Sequence, residues 1–522
     1  IYHDTVDAGR GAMTKANLEN MSLEARRLLE QKLLGSSKSG TQTSFLALGP
    51  RPMQGAPCEL SFAQKRLWLI EHLDLVPGVY NVSRVYRISG ALNPAAVQAA
   101  LDAVVARQEA LRTRLVEQDG VLRQIIDPPR SVELQLRDMR ADAGASNRDD
   151  FLRTITHGPF DLSADCMLRA GLARLGEAQW MLVITVHHVA SDGWSLSVLD
   201  RELETLYAGF DSGSPATLPP LPVQYADYSE WQRRWLSGEV LDRQLGYWRE
   251  RLRDLNPLEL PADRPRPTRL SYRGDHERFA LPAELVDALK GLARQHNATL
   301  YMVLLSAFQV LLMRYSGQED IAVGTPIAGR TRPELEGLIG FFVNTLVMRG
   351  DLGGNPRFAD LLVRTRQHAL DAYDHQELPF EKLVEELKPE RDMSRSPLVQ
   401  VMFVLQNTPD TELRLPDLVC ERLPLNNGTA KFDLSLSLTE TAGELQGSLE
   451  YSTDLFDAAR IERLARHYRS LLEHIVQAPD TAIWQLSLLD TAEQQLLRHD
   501  WNDTATDYPR DRGVHEVFEA QA

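Results

Sequence analysis

The chain has 522 residues, too many for one hydrophobic core of ordinary size, so two or more domains are expected. Its 43% hydrophobic and 25% charged residues are those of a globular protein, and a formal net charge of −16 excludes a general nucleic-acid binder, which needs a basic surface. Three cysteines, Cys58, Cys166 and Cys420, lie far apart with no Cys-x-x-Cys pair. Neither a disulfide framework nor a zinc knuckle is expected, and a reducing cytoplasm fits. No uncharged run approaches a membrane span, and no signal peptide is visible, so a cytoplasmic protein without a membrane partner is expected.

The first residue is not Met, and Met13 is a more natural start; residues 1–12 read as a tag, a fused peptide or a linker. Residues 22–34 are helical in pattern, with Ser22 as N-cap and Leu28, Leu29, Leu33 and Leu34 on one apolar stripe, which makes 13–35 a candidate docking element. The run Gly35-Ser36-Ser37-Lys38-Ser39-Gly40 leads into residues 36–56, read as a flexible linker. The main body begins near Pro57. Ser61 opens a helix, residues 82–88 alternate as a strand, and Asn93 caps a helix expected to run through Leu111. The apolar run 181–186 ends in His187-His188-Val189-Ala190-Ser191-Asp192-Gly193-Trp194-Ser195, and a helix is expected from Trp194 to Phe210. A proline-rich connector at 218–222 leads to a tryptophan-rich helix carrying Trp231, Trp235 and Trp248. The three prolines of 261–267 mark the expected boundary, leaving 57–267 and 268–489 as two halves. The second half predicts a strand at 276–281, a helix from Ala283, a buried helix at 301–315, a strand at 320–325 and an apolar run at 341–348. Two α/β halves of similar size imply a cleft between them. Residues 490–522 turn polar and read as a linker and the start of a further domain.

Histidine is the side chain best suited to moving protons near neutral pH. Strand pleat puts His187 and His188 on opposite faces, so one faces the cleft and the other holds the strand. His188, nearer the turn, is taken for the chemistry. Asp192 has two roles open to it: orienting His188, as an acid orients the catalytic histidine of hydrolases, or pairing with an arginine to fix the loop. A tight turn would point it back under the strand, which favours the second role. The plainer reading is two structural histidines and an Asp N-cap. It would win for a lone histidine, but the adjacent pair with Asp-Gly at this spacing is less common. The two imidazoles point apart and, with His157, give no recognised ligand spacing, so no metal is expected. There is no Gly-x-Ser-x-Gly elbow, phosphate loop or dinucleotide turn, and no bound cofactor is expected.

Seven segments, in order, resemble the core motifs of the condensation domains of nonribosomal peptide synthetases, along almost the whole of residues 57–489. Ser61-Phe62-Ala63-Gln64-Lys65-Arg66-Leu67-Trp68 resembles the first. Arg107-Gln108-Glu109-Ala110-Leu111-Arg112-Thr113 resembles the second, with Gln108 where His is usual. Residues 187–195 resemble the third, HHxxxDG, and Tyr225-Ala226-Asp227-Tyr228-Ser229-Glu230-Trp231-Gln232 the fourth. Ile339-Gly340-Phe341-Phe342-Val343-Asn344-Thr345-Leu346-Val347 resembles the fifth; His375-Gln376-Glu377-Leu378-Pro379-Phe380 and Arg391-Asp392-Met393-Ser394-Arg395-Ser396-Pro397-Leu398 complete the set. The tryptophans and Phe341-Phe342 are read as packing residues.

The resemblance implies an α/β fold of two chloramphenicol-acetyltransferase-like lobes forming a V with a central tunnel. It implies an amide-forming acyltransferase whose donor and acceptor arrive as thioesters on the phosphopantetheine arms of two carrier proteins. By the same resemblance His188 and Gly193 are catalytic, His188 positioning or deprotonating the amine or stabilising charge, and the Gly193 amide assisting at the oxyanion. His187, Asp192 and Arg330 are structural, Arg330 being the partner of Asp192 from the other lobe. Ser191 resembles domains that take an L-configured or acyl donor. An epimerisation domain and an inactive carrier-docking scaffold are the alternatives. Residues 13–35 resemble a docking element for an upstream synthase, such as a polyketide synthase, and 490–522 resemble the run into an adenylation domain. The partners implied are an upstream donor carrier, a downstream acceptor carrier and that adenylation domain.

Overall fold

The computed structural model describes residues 47–53, 55–72, 78–141, 144–214, 216–389, 392–406, 413–507 and 510–522. Residues 1–12, the docking element expected at 13–35 and most of the linker at 36–56 lie outside them. From Leu48 onward the chain forms one unit built on two large apolar cores.

The first half contributes β1 (Cys58–Glu59), β2 (Asn81–Ser89), β3 (Thr113–Gln118), β4 (Val121–Ile126), β5 (Leu134–Asp138), β6 (Leu168–Arg174) and β7 (Gln179–His187). The second contributes β8 (Gly274–Leu281), β9 (Asp320–Ile327), β10 (Asn344–Asp351), β11 (Val401–Gln406), β12 (Val419–Leu423), β13 (Leu434–Thr441) and β14 (Glu444–Ser452). The sheets run β12-β2-β7-β6-β5 and β10-β9-β11-β13-β14-β8, with a small sheet β1-β4-β3 beside the first. Helices Pro94–Arg107 and Gly193–Asp211 pack on one face of the first sheet, and Ala145–Thr156 covers the other. β7 is therefore buried on both faces, which is why it reads as an unbroken apolar run rather than an alternation. In the second core the helix Leu300–Ser316 is buried from Met302 to Met313; Thr299 caps its start, and Gly317, at φ 73°, ends it in the left-handed region. No described helix is by itself long and apolar enough to cross a membrane.

The halves are more interleaved than their order in the chain suggests. The tryptophan-rich segment is two helices, Tyr225–Trp235 and Gly238–Arg251, and the break separates the cores: Trp231 is buried in the first and Trp248 in the second. Residues ahead of the proline loop at 261–267 thus already belong to the second core. In return, Leu335, Leu338, Ile339, Phe341 and Phe342, with Leu413 and Leu415, bury in the first core, and β12 pairs with β2 at its sheet edge. The helix capped by Asn93 stops at Arg107, because Gln108 turns extended (φ −98°, ψ 99°); Glu109–Arg112 is a separate 3-10 turn. The apolar run from Phe341 becomes a strand only at Asn344. Beyond residue 489, helices Thr491–Arg498 and Val514–Glu519 bury no residue, and Trp501, Val514 and Phe518 are exposed.

Candidate active site

β7 ends at His187 because its neighbour β2 begins there, with Asn81 opposite His187. Two backbone bonds carry the order one step further: His187 N–H to Met167 O at 3.0 Å and His188 N–H to Tyr80 O at 2.8 Å. A single 3-10 turn, His188–Ala190, follows, and Asp192 caps the helix Gly193–Asp211. The buried His187 spends both ring nitrogens on support. Its Nδ1 accepts the Val189 N–H at 3.2 Å, so its Nε2 carries the proton and donates to Glu71 Oε1 at 3.2 Å.

Among the described residues His188 is held by one nitrogen only. Its Nδ1–H donates to the Ser191 carbonyl at 2.7 Å, which leaves Nε2 as the nitrogen with the lone pair. The ring meets the edge of Phe341 at a centroid distance of 4.7 Å. Burial pushes its pKa down to about 3, and the nearby positive charge of Lys431 acts in the same direction. At neutral pH the imidazole is therefore uncharged.

Asp192 does not reach His188's ring nitrogens through any hydrogen bond among the described residues; it faces into the protein. Its Oδ1 accepts the Ser195 N–H at 2.8 Å, the Ser195 hydroxyl at 2.7 Å and Arg330 Nη2 at 3.3 Å. Its Oδ2 accepts the Phe342 N–H at 2.9 Å. Arg330 is fixed in turn: Nη1 donates to the carbonyls of Leu335 and Leu338, Nη2 donates to Ser195 Oγ at 2.7 Å, and the guanidinium lies 4.1 Å over the Phe342 ring. Side-chain exposure is 1% for Arg330 and 3% for Asp192, so the pair is out of water. This buried net fixes the loop that carries His188 and Gly193.

Gly193 is the first residue of the motif helix, and a β-carbon placed there meets no heavy atom within 4 Å. A helix N-terminus with open space in front of it favours negative charge. A cleft lined from both halves, by Ser61, Tyr228, Trp231, Asn344 and Glu377 among others, meets the site at Phe341, the ring against His188. Burial pushes the Glu377 carboxyl above the usual carboxylate range. Asn344 ties two of the motif segments together, donating to Gln376 O at 2.9 Å and Leu378 O at 2.8 Å and accepting the Phe380 N–H at 2.9 Å. Gln108 does the same across the halves. It donates to Glu202 Oε1 at 2.9 Å and Gly337 O at 3.1 Å and accepts the Ile339 N–H at 2.9 Å.

Glu71 and the contact of Phe341 with His188 escape a sequence reading. Glu71 lies in the helix Phe62–His72, far from the motif in the chain, with nothing in its spacing to link it to His187. Phe341 is more than a packing residue: its ring walls His188, and its carbonyl accepts the Tyr225 hydroxyl at 2.7 Å. Ser195 carries a local signal, since it stands three residues after an N-cap aspartate.

Two α/β halves joined around a loop-borne histidine define a chloramphenicol-acetyltransferase-like fold. Residues 56–498 match the family model for the condensation domain, and the chain belongs to that family, as it occurs in nonribosomal peptide synthetases. It is 43% identical over 478 residues to chondramide synthase cmdD of Chondromyces crocatus, covering 91% of this chain and 12% of that protein. It is 40% identical over 511 residues to phosphinothricin tripeptide synthetase PhsC of Streptomyces viridochromogenes, covering 96% of this chain and 46% of that one. The chain thus spans less than half the length of either relative. Among solved structures, the X-domain from teicoplanin biosynthesis superposes with a TM-score of 0.78 at 29% identity, covering 85% of this chain and 100% of that one. A four-domain nonribosomal peptide synthetase bound to AMP and glycine shares the fold, with a TM-score of 0.79 at 24% identity over 92% of this chain and 37% of its own.

Proposed function

We propose that the chain forms an amide bond between a carrier-bound acyl or peptidyl thioester and a carrier-bound aminoacyl acceptor, with His188 at the reacting atoms. The observation that carries this reading is the free Nε2 of a neutral His188 whose Nδ1–H is tied to Ser191 O. Such a nitrogen accepts a proton or a hydrogen bond from an amine without first losing a proton of its own.

In the proposed reaction the acceptor amine nitrogen bonds to the donor carbonyl carbon, and the π pair moves onto oxygen. His188 Nε2 takes the proton the amine gives up. Collapse of the intermediate breaks the C–S bond, and the departing thiolate of the donor arm receives that proton. The Gly193 N–H, at the helix start, is the group we assign to the oxyanion. Holding two tethered substrates together supplies much of the rate, about 7–11 kcal/mol in well-oriented cases. His187, Asp192 and Arg330 act by fixing the loop. Ser191 supports an L-configured or acyl donor. The upstream donor carrier, a downstream acceptor carrier and an adenylation domain are the partners proposed.

The test uses both carriers in loaded form and intact-protein mass spectrometry of the acceptor carrier. His188→Ala removes one hydrogen bond, about 1 kcal/mol, so it should fold and yet yield no product. Near-normal product from that variant would overturn the assignment.

A further inference from the structure

Lys431, from the other half of the protein, places a positive charge where it acts on His188. Lys431 precedes β13, on a run clamped through its backbone. Gly274 N–H donates to Gly428 O at 2.9 Å, and Ala430 N–H donates to Tyr272 O at 2.9 Å. The close approach requires glycine at 274, where a β-carbon would stand 2.5 Å from the Ala430 nitrogen. Ser396 Oγ–H donates to the Lys431 carbonyl at 3.3 Å. From this anchored base the ammonium reaches the Tyr80 ring, 4.8 Å from its centroid, and the carbonyl of the same Tyr80 holds the His188 N–H. Among the described residues the ammonium makes no hydrogen bond and has no carboxylate within ion-pair distance. The acid that acts on it, Glu450, stands 4.0 Å from His276 and accepts the backbone N–H of Lys431.

A half-buried ammonium without an anion is costly to hold, and a cation–π contact returns only part of that cost. The same charge becomes useful where an oxyanion forms. We propose that Lys431 is a positioning residue for amide formation: from its seat on Tyr80 it sets the field at His188, holding the ring neutral while charge builds on the oxyanion at Gly193. This rests on the reading under Proposed function.

The field at His188 has identifiable contributors. Asp192, on the motif loop, favours the imidazolium; Lys431 and His187 oppose it. His187 is paired with Glu71, and Glu71 and Arg66 both act on Tyr80. Of these, Lys431 is the largest charge effect on His188, and its sign keeps the ring neutral. Removing it raises the pH at which His188 takes up a proton, so the loss of rate on acidification begins at a higher pH.

The experiment is a ¹³Cε1-histidine NMR titration of the full chain, with the His188 signal assigned by its loss in His188→Asn. Wild type should keep His188 neutral from pH 8 down to 5. Lys431→Met, or Lys431→Gln if the first folds poorly, should move the midpoint upward by about one pH unit from its value of about 3, so both titrations are followed down to pH 3. Lys431→Arg should restore the wild-type titration. With loaded carriers, Lys431→Met should lower kcat about tenfold at an unchanged KM, with its acidic limb displaced upward. A folded Lys431→Met whose His188 titration and rate profile coincide with wild type would overturn the proposal. The NMR readout needs no substrate, so a wild-type chain that transfers nothing refutes the functional reading separately.

Discussion

Replacing Asp192 by Asn separates a structural carboxylate from a chemical one. The wild-type side chain accepts from the Ser195 N–H at 2.8 Å, the Ser195 hydroxyl at 2.7 Å, Arg330 at 3.3 Å and the Phe342 N–H at 2.9 Å. Asparagine keeps the shape but offers one acceptor oxygen and one NH₂. If the oxygen stays with Ser195 and Arg330, the NH₂ meets the Phe342 N–H, donor against donor; the flipped amide is worse, with Ser195 and Arg330 both facing the NH₂. An unpaired buried N–H costs about 1–3 kcal/mol. Arg330, 1% exposed, keeps its charge without an anion, and breaking a buried pair in this way costs about 3–5 kcal/mol. Both effects arise at one residue and overlap, so the expected loss is about 3–5 kcal/mol, read as a lower urea midpoint. Arg330→Met in the Asp192→Asn background removes the stranded charge and should recover about 1 kcal/mol or more relative to additivity. Transfer to the acceptor carrier should fall as the loop shifts. An Asp192→Asn chain with a wild-type midpoint and no activity would refute the reasoning and give the carboxylate a direct part in the chemistry.

Gly193→Ala should fold as wild type, since the new methyl meets nothing within 4 Å, yet lower the single-turnover rate about 100-fold by occupying the space assigned to the donor carbonyl. A wild-type rate would remove Gly193 from the site. Gln108→His should destabilise the chain by about 1–3 kcal/mol in thermal denaturation, because a neutral imidazole has one donor and one acceptor for the three bonds that Gln108 makes. Unchanged stability would show that the donor count at this position is not limiting.

The fold class was legible because long periodic or continuous apolar segments carry their own signal, as in β7 and Leu300–Ser316. The family was legible because its motifs are local strings. Pairings between distant segments were not. Nothing in the chain places β12 at the edge of the first sheet, since its burial alternates weakly and its partner β2 lies far upstream. Nor does the composition of Tyr225–Trp235 and Gly238–Arg251 reveal that a break between them sends Trp231 and Trp248 into different cores. At the site, His187 and His188 differ by one position but are sorted by their partners, Glu71 and Ser191 O. A pleat argument separates the two rings; only tertiary contact shows which nitrogen is left free.

These contacts converge on one short segment of the second half. Trp194 Nε1–H donates to Glu336 O at 3.0 Å, Gln108 bonds Gly337 and Ile339, Ser195 accepts the Gly340 N–H at 3.1 Å, Tyr225 reaches Phe341 O, and Asp192 takes the Phe342 N–H. The same segment buries Leu338, Ile339, Phe341 and Phe342 in the first core. Parting the halves here would leave several buried polar groups unpaired, at about 1–3 kcal/mol each, besides exposing that apolar surface. The halves are therefore tied at residues 336–342, and a second tie, the β12–β2 pairing, holds the edge of the first sheet. The first tie also carries the anchors of the His188 loop, Arg330 and the Phe342 N–H on Asp192, so the position of that histidine is set by contacts that join the halves and not by the motif alone.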